Sequence, residues 1–199
     1  MERVVLITGG NRGIGLATAK TFASKGNKVA ITYRETPPDG IEDLGIHSVS
    51  CDVTDQEHVN RAFKEVEETL GTVEILVANA GITRDALTAR TTDQDFSEVL
   101  DTNLTGAFRT AKQALRGMMK NRWGRIIFVS SLSGRIGQVG QSSYAASKSA
   151  LLGLSRSLAK EYASRNITVN VVAPGAVNTD MLEKLSNDQI EEYIESIPL

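Results

Sequence analysis

The sequence predicts an α/β protein whose parallel sheet is buried between layers of helices. Short runs rich in Val and Ile alternate with longer segments of helical period. Those runs are nearly continuous in apolar residues, as strands covered on both faces tend to be. The first run also passes through a cluster of glycines directly into a helical pattern. With 199 residues the chain suits one domain, residues 1–199, large enough to bury a sizeable core.

The strands are expected at Arg3–Thr8, Lys28–Tyr33, His47–Ser50, Glu74–Ala78, Arg125–Ser130 and Thr168–Val172. Between them the first helix runs from about Gly13 to Ser24, with Gly26 as its stop. A second opens on Thr54-Asp55-Gln56-Glu57, which reads as a capping box, and continues to about Leu70 before Gly71. A long helix over about Gln94 to Lys120 carries Phe96, Leu100, Leu104, Phe108, Ala111, Leu115 and Met118 as one stripe. Another covers about Ser143 to Ser164, with Leu151, Leu154, Leu158 and Tyr162 at helical spacing. The tail from Thr179 to Ser196 contains a second capping box, Ser186-Asn187-Asp188-Gln189. Residues Arg34 to Gly45 break the pattern, because Pro37-Pro38-Asp39-Gly40 argues for a loop in place of a crossover helix.

Composition narrows the function classes. Apolar residues make up 41% and charged residues 23%, ordinary for a soluble globular protein. A net charge of −2 creates no field that would draw nucleic acid or an anionic membrane. Cys51 is the sole cysteine, so no internal disulfide forms, and neither His47 nor His58 sits in a metal-ligand motif. The first apolar run begins at Val4, which leaves no room for a secretory signal, and no apolar stretch is long enough to span a bilayer. The expectation is a cytoplasmic protein with no metal and no nucleic-acid or membrane partner.

The turn Thr8-Gly9-Gly10-Asn11-Arg12-Gly13-Ile14-Gly15 joins the first strand to the first helix. Gly9, Gly13 and Gly15 let the backbone approach a pyrophosphate without Cβ clashes, and the helix N-terminus aims free N–H groups at that anion. A strand, glycine turn and helix in this order mark the phosphate end of a Rossmann-type, doubly wound sheet with three α/β/α layers. The same turn without a ligand is the alternative.

The spacing TGxxxGxG resembles the short-chain dehydrogenase/reductase family, and further matches follow in family order. Asn79-Ala80-Gly81 closes the fourth strand, Asn103 lies in the long helix and Ser131 follows the fifth strand. Tyr144-Ala145-Ala146-Ser147-Lys148 matches the YxxxK motif, and Pro174-Gly175 follows the sixth strand. The resemblance spans essentially the whole chain. It extends to the 3-oxoacyl-[acyl-carrier-protein] reductases of bacterial fatty-acid synthesis through Asn103-Leu104-Thr105-Gly106, Asn121-Arg122-Trp123-Gly124-Arg125 and Asn170-Val171-Val172-Ala173-Pro174-Gly175.

In dinucleotide folds an acid after the second strand binds the ribose 2′-hydroxyl, whereas Arg accommodates a 2′-phosphate. Here Arg34 ends the second strand and Arg12 lies in the glycine loop, so two guanidiniums are available for that phosphate and NADPH is the expected cofactor. Glu35 is a conflicting signal, because a carboxylate repels phosphate, and Arg34 could instead be a solvated loop residue. The resemblance implies that Asp52 and Val53 contact adenine, although Asp52 also suits a turn or a cap. It implies that Asn79, Ala80 and Gly81 pass beside the cofactor ribose, that Ile14 and Asn11 belong to the phosphate loop, and that Val177 and Thr179 face the carboxamide and phosphates.

Tyr144 and Lys148 are four residues apart in a helical segment and share one face. Reducing a ketone needs a hydride on carbon and a proton on oxygen. A phenol is a suitable acid, but its ordinary pKa of about 10 leaves little phenolate for the reverse step unless an ammonium lies close. The resemblance gives Lys148 that task and a hold on the nicotinamide ribose. It makes Ser131 the donor that positions the carbonyl oxygen, and has Asn103 hold a water in a proton relay. Ser131 and Ser130 also suit turn positions, and Asn103 suits a satisfied polar residue inside a helix.

The resemblance further implies that Arg122 and Arg165, near the active-site entrance, steer an acidic acyl carrier protein. It implies a substrate flap from Pro174-Gly175 through about 176–199, and a homo-oligomer in which the two long helices build a dimer within a tetramer. Family members continue with a further helix and a seventh strand, so ending at Ile197-Pro198-Leu199 leads us to expect an incomplete chain with an uncovered sixth strand. The rival readings are another reductase of the same superfamily, acting on a polyketide, sugar or small ketone, and a non-catalytic dinucleotide-binding regulator.

Overall fold

The computed structural model describes residues 2–178. Its strands are β1 (Val4–Ile7), β2 (Lys28–Tyr33), β3 (Ile46–Ser50), β4 (Ile75–Ala78), β5 (Gly124–Val129) and β6 (Ile167–Val172). All pair in parallel in the order β3-β2-β1-β4-β5-β6. The chain therefore winds outward from β1 to β3, then returns to start the other half at β4. That reversal opens a crevice beyond the carboxyl ends of β1 and β4, where open α/β sheets take their ligands.

The helices are α1 (Gly13–Ser24), α2 (Gln56–Thr69), α3 (Asp93–Leu100), α4 (Gly106–Asn121), α5 (Ser133–Ile136) and α6 (Ser142–Tyr162). Strand side chains alternate between faces, so adjacent residues enter different cores. Val5, Ile7, Val29, Ile31 and Val77 pack with Ala19 of α1. Leu6, Ala30, Leu76, Ile126 and Phe128 pack on the other face with Phe63 of α2, Met118 of α4 and Leu151 of α6. Both layers expected from the sequence are present, and among the described residues they are unequal. Beyond α1, the first face becomes steadily more open toward β6, from half-buried Ile75 and Ile127 to exposed Thr168 and Asn170. Val172 is 53% exposed. The continuous burial expected of every strand thus holds for β1 but not for β6, which among the described residues is an edge strand covered by α6 on one side.

Two helices depart from expectation for identifiable reasons. The cap of α2 is Asp55, whose carboxylate accepts from Glu57 N–H at 2.7 Å and His58 N–H at 3.2 Å. Thr54, the cap expected from the sequence, stands one residue before it, and its hydroxyl donates to Asp52 Oδ1 at 2.7 Å. The long helix is not continuous: α3 and α4 are joined by a π turn at Asp101–Thr105. One extra residue in a turn rotates everything after it by about 100°. The proposed stripe is not uniformly buried: Ala111, Leu115 and Met118 are buried while Phe96 and Phe108 are 38% and 43% exposed. The loop over Arg34 to Gly45 forms as read, holding a single 3-10 turn at Glu42–Leu44. The tail with its second capping box, and nearly all of the flap segment, lie outside the described residues. No helix among the described residues is long and apolar enough to cross a membrane.

Candidate active site

The glycine loop is held in place from both sides. Gly9 N–H donates to Thr32 Oγ1 at 3.3 Å and Gly10 N–H to Thr32 O at 2.9 Å, tying it to β2. On the β4 side, Thr8 Oγ1 accepts from the N–H groups of Asn79 and Ala80, each at 3.0 Å. Asn79 Nδ2 returns bonds to Thr8 O at 3.0 Å and Gly9 O at 2.9 Å. The Asn79 amide is thus committed to shaping the loop. Gly9 and Gly13 have φ of +61° and +51°, which favours glycine. At Gly15 a Cβ would meet Gly9 O at 2.4 Å and Asn79 Nδ2 at 2.6 Å. No acidic residue occupies the first turn of α1, and Arg12 at its cap position supplies no side-chain cap. This is a glycine turn at a helix N-terminus with no acid to repel an anion, suited to a pyrophosphate. Val177 shares a cleft of about 390 Å³ with Gly13 and Ile14, which puts the segment following β6 against the same turn.

The catalytic candidates converge beside it. Tyr144 and Lys148 lie in the first two turns of α6, with Lys148 Nζ 5.6 Å from the centre of the Tyr144 ring. Lys148 is 4% exposed, and its Nζ donates to Val129 O at the end of β5, at 2.8 Å. Burial lowers the Lys148 pKa from the usual 10.5 to about 8. A Cβ at Gly81 would lie 3.2 Å from Asn103 Oδ1 and 3.3 Å from Lys148 Nζ, so the β4 turn, the π turn and α6 meet at one point. Glycine there relieves a tight approach and not an unusual turn.

Asn103 is buried in the π turn and fully engaged. Its Oδ1 accepts from Ile82 N–H at 2.8 Å, and its Nδ2 donates to Ile82 O at 2.9 Å and Ser147 Oγ at 3.0 Å. Ser147 in turn donates to Tyr144 O at 2.7 Å. The side-chain amide thus clamps the segment after Gly81 onto α6, and that is the work its hydrogen bonds account for. Ser131 Oγ accepts from Ser133 N–H at 3.2 Å, at the entrance to α5. That short helix is pressed against α6: a Cβ at Gly134 would lie 2.9 Å from backbone and side-chain atoms of Lys148. Ser130 Oγ donates to Lys148 O at 2.8 Å, a second tie between the end of β5 and α6. Leu132 N–H donates to Pro174 O at 2.8 Å, bringing Pro174-Gly175 alongside Ser131. Thr8, Ser130, Gly134 and Ser147 are the contributors that sequence reasoning did not single out. Cys51 is buried, and its thiol pKa is pushed up to about 12, so it belongs to the core and not to the chemistry.

A family model for short chain dehydrogenases matches residues 3–190. The chain belongs to that family. It is 48% identical, over all of its own length and 78% of the relative's, to 3-oxoacyl-[acyl-carrier-protein] reductase MabA of Mycobacterium tuberculosis. It is 45% identical to carbonyl reductase family member 4 of Xenopus laevis, covering 98% of this chain and 84% of that one. With 3-oxoacyl-[acyl-carrier-protein] reductase FabG of Escherichia coli it shares 44% identity over 98% and 82% of the two chains. Among solved structures, the crystal structure of gox2181 superposes with a TM-score of 0.95 at 33% identity, covering 99% of this chain and 81% of that one. Family membership makes the chain an oxidoreductase that works with a nicotinamide dinucleotide.

Several other expected residues of this family member make contacts of their own. Asp52 Oδ1 is occupied by Thr54, accepting from its N–H at 2.9 Å, which is the turn role left open for it. Val53 is buried beneath α4, where a Cβ at Gly106 would meet its Cγ2 at 2.7 Å. Arg34 lies exposed at the end of β2, where its Nη2 contacts Glu35 Oε1 at 2.6 Å. Arg122 and Arg165 sit just before β5 and β6, at the opposite end of the sheet from Ser131 and Tyr144. There Arg122 takes the left-handed conformation that ends α4, and its Nη2 donates to Ser164 O at 3.2 Å. They do not line this chain's own entrance. Thr179 lies outside the described residues.

Proposed function

We propose that this chain uses NADPH to reduce the 3-oxo group of an acyl thioester carried on acyl carrier protein, yielding the 3-hydroxyacyl form in fatty-acid synthesis. The observation that carries the reaction type is the buried Lys148 ammonium beside Tyr144, next to a glycine cradle that fits a dinucleotide. The substrate follows from the carrier-protein reductases among its relatives.

Gly9, Asn11, Arg12, Gly13, Ile14 and Gly15 would hold the pyrophosphate, and Arg12 with Arg34 the 2′-phosphate. When bound, the reduced nicotinamide supplies a hydride to the carbonyl carbon. Tyr144 delivers its phenolic proton to the carbonyl oxygen, so carbon and oxygen together gain the hydride and the proton that make an alcohol. Lys148 keeps the resulting phenolate stable at neutral pH by placing a cation beside the ring. Ser131 donates to the same carbonyl oxygen and holds it toward Tyr144. Asn103 fixes the turn bearing Gly81 against Lys148 and so sets where the ammonium stands. The reading has the protein working in the cytoplasm as a homo-oligomer, a dimer of dimers, supported by the half-exposed Phe96 and Phe108 on α3 and α4.

A second reading, reduction of a small ketone without a carrier, is favoured by the carbonyl reductase relative and by the distance of Arg122 and Arg165 from the entrance. Following NADPH consumption with acetoacetyl-carrier protein and a panel of free ketones separates the two. The carrier-linked substrate is expected to show at least about tenfold higher kcat/KM, which is about 1.4 kcal/mol of extra transition-state binding. A free ketone turned over as well or better selects the second reading.

A further inference from the structure

The loop after β2 carries a pairing that a 2′-phosphate has to displace. Besides the two bonds from Gly9 and Gly10 to Thr32, Asn11 Nδ2 donates to Thr36 O at 3.2 Å. These contacts fasten the chain on both sides of Arg34 and Glu35 to the turn that bears Arg12. Within that frame Glu35 Oε1 accepts from Arg34 Nε at 3.0 Å and from Arg34 Nη2 at 2.6 Å. The Nε–Nη2 side of a guanidinium is one of the edges that grip an oxyanion with two parallel donors. A carboxylate seated there uses both donors and sets a negative charge where a dianionic phosphate must come.

We propose that Glu35 is a built-in competitor for the cofactor's 2′-phosphate, holding the donor edge of Arg34 so that NADP binds only as Glu35 leaves it. The inference rests on the reading of the cofactor as the phosphorylated dinucleotide. Glu35 then narrows the gap between NADP and NAD: it weakens the first and leaves the second, which brings no charge to Arg34, unaffected. Both side chains are well exposed, at 54% and 75%. Exposed ion pairs contribute little and are screened by salt, so the effect is about two- to fivefold in Kd and not orders of magnitude.

Calorimetric titration of NADP+ and NAD+ into wild type, Glu35→Gln, Arg34→Gln and the double variant tests this. Glu35→Gln should bind NADP+ about two- to fivefold tighter and NAD+ as wild type does. The gain should vanish when Arg34 is also Gln, and shrink in about 1 M salt, where the screening length is about 3 Å. An NADP+ Kd that is unchanged or weaker in Glu35→Gln overturns the competitor role, and if wild type still prefers NADP+ the cofactor reading stands without it. A wild type that prefers NAD+, together with loss of NAD+ affinity in Glu35→Gln, overturns both, because Glu35 would then be serving the 2′-hydroxyl.

Discussion

Lys148 illustrates how one side chain carries both a cost and a use. Its ammonium is buried with Val129 O as a hydrogen-bond partner, and burial lowers its pKa from the usual 10.5 to about 8. Between those values the unfolded chain holds a proton that the folded chain has released, so folding stability rises with pH across about 8 to 10.5. Below pH 8 both states are protonated and the full cost of burying the cation is present. In Lys148→Met that pH-dependent contribution disappears. Denaturant melts should show wild type gaining on the variant, by on the order of 3 kcal/mol, from pH 7 to pH 10.5. A difference that does not change with pH would contradict the burial argument. At this scale the closeness of Tyr144 and Lys148 was legible from their i,i+4 spacing, whereas Ser131 was reached only through the family resemblance. The clamping roles of Thr8, Ser130 and Ser147 were not legible. A hydroxyl's partner depends on which distant backbone arrives beside it, as Lys148 O does beside Ser130. Asn103 entered the reading only through the resemblance, and its engagement with Ile82 and Ser147 appears only once the π turn is seen.

Elements reach the site through a few close backbone approaches. Helix α5 is only four residues long, too short to leave a periodic signal in the sequence, yet it positions Ser131 by resting on α6 at Gly134. Gly134→Val forces the two backbones apart. We expect kcat to fall by about 10- to 100-fold, the scale of an ångström-sized misplacement, while NADP+ affinity stays within about twofold. Unaltered kcat would show that Ser131 is positioned by something other than this contact. The π turn was also hidden, because the apolar spacing from Phe96 to Met118 fits an unbroken helix equally well. What betrays it is three-dimensional: Asn103 must face Ile82 while Ala111 and Met118 face the sheet. By contrast α1, β1 and β2 were read nearly to the residue, since their glycines and buried runs carry sharp local signals.

Across the whole molecule, the switch in strand order gathers the ends of β1, β4 and β5 and the start of α6 at one edge of the sheet. The layered class follows from the alternation of runs, whereas the uneven covering of β6 depends on which helices return to which face. Arg122 and Arg165 stand at the far edge, about 20 Å away along β5, so the proposed docking role requires a second copy to bring them to an active site. In the proposed oligomer, charge reversal at both should raise KM several-fold for carrier-linked substrate and leave that for a small ketone unchanged. Equal effects on the two substrates would remove the docking role. The convergence itself is tested most directly at Tyr144, the group on which all those ends bear. Tyr144→Phe keeps the ring and the packing and removes the transferable proton. Measured side by side, its turnover should fall by about a thousandfold or more while its NADP+ Kd stays within about twofold of wild type. A Tyr144→Phe protein that still reduces its ketone at the wild-type rate would contradict the account.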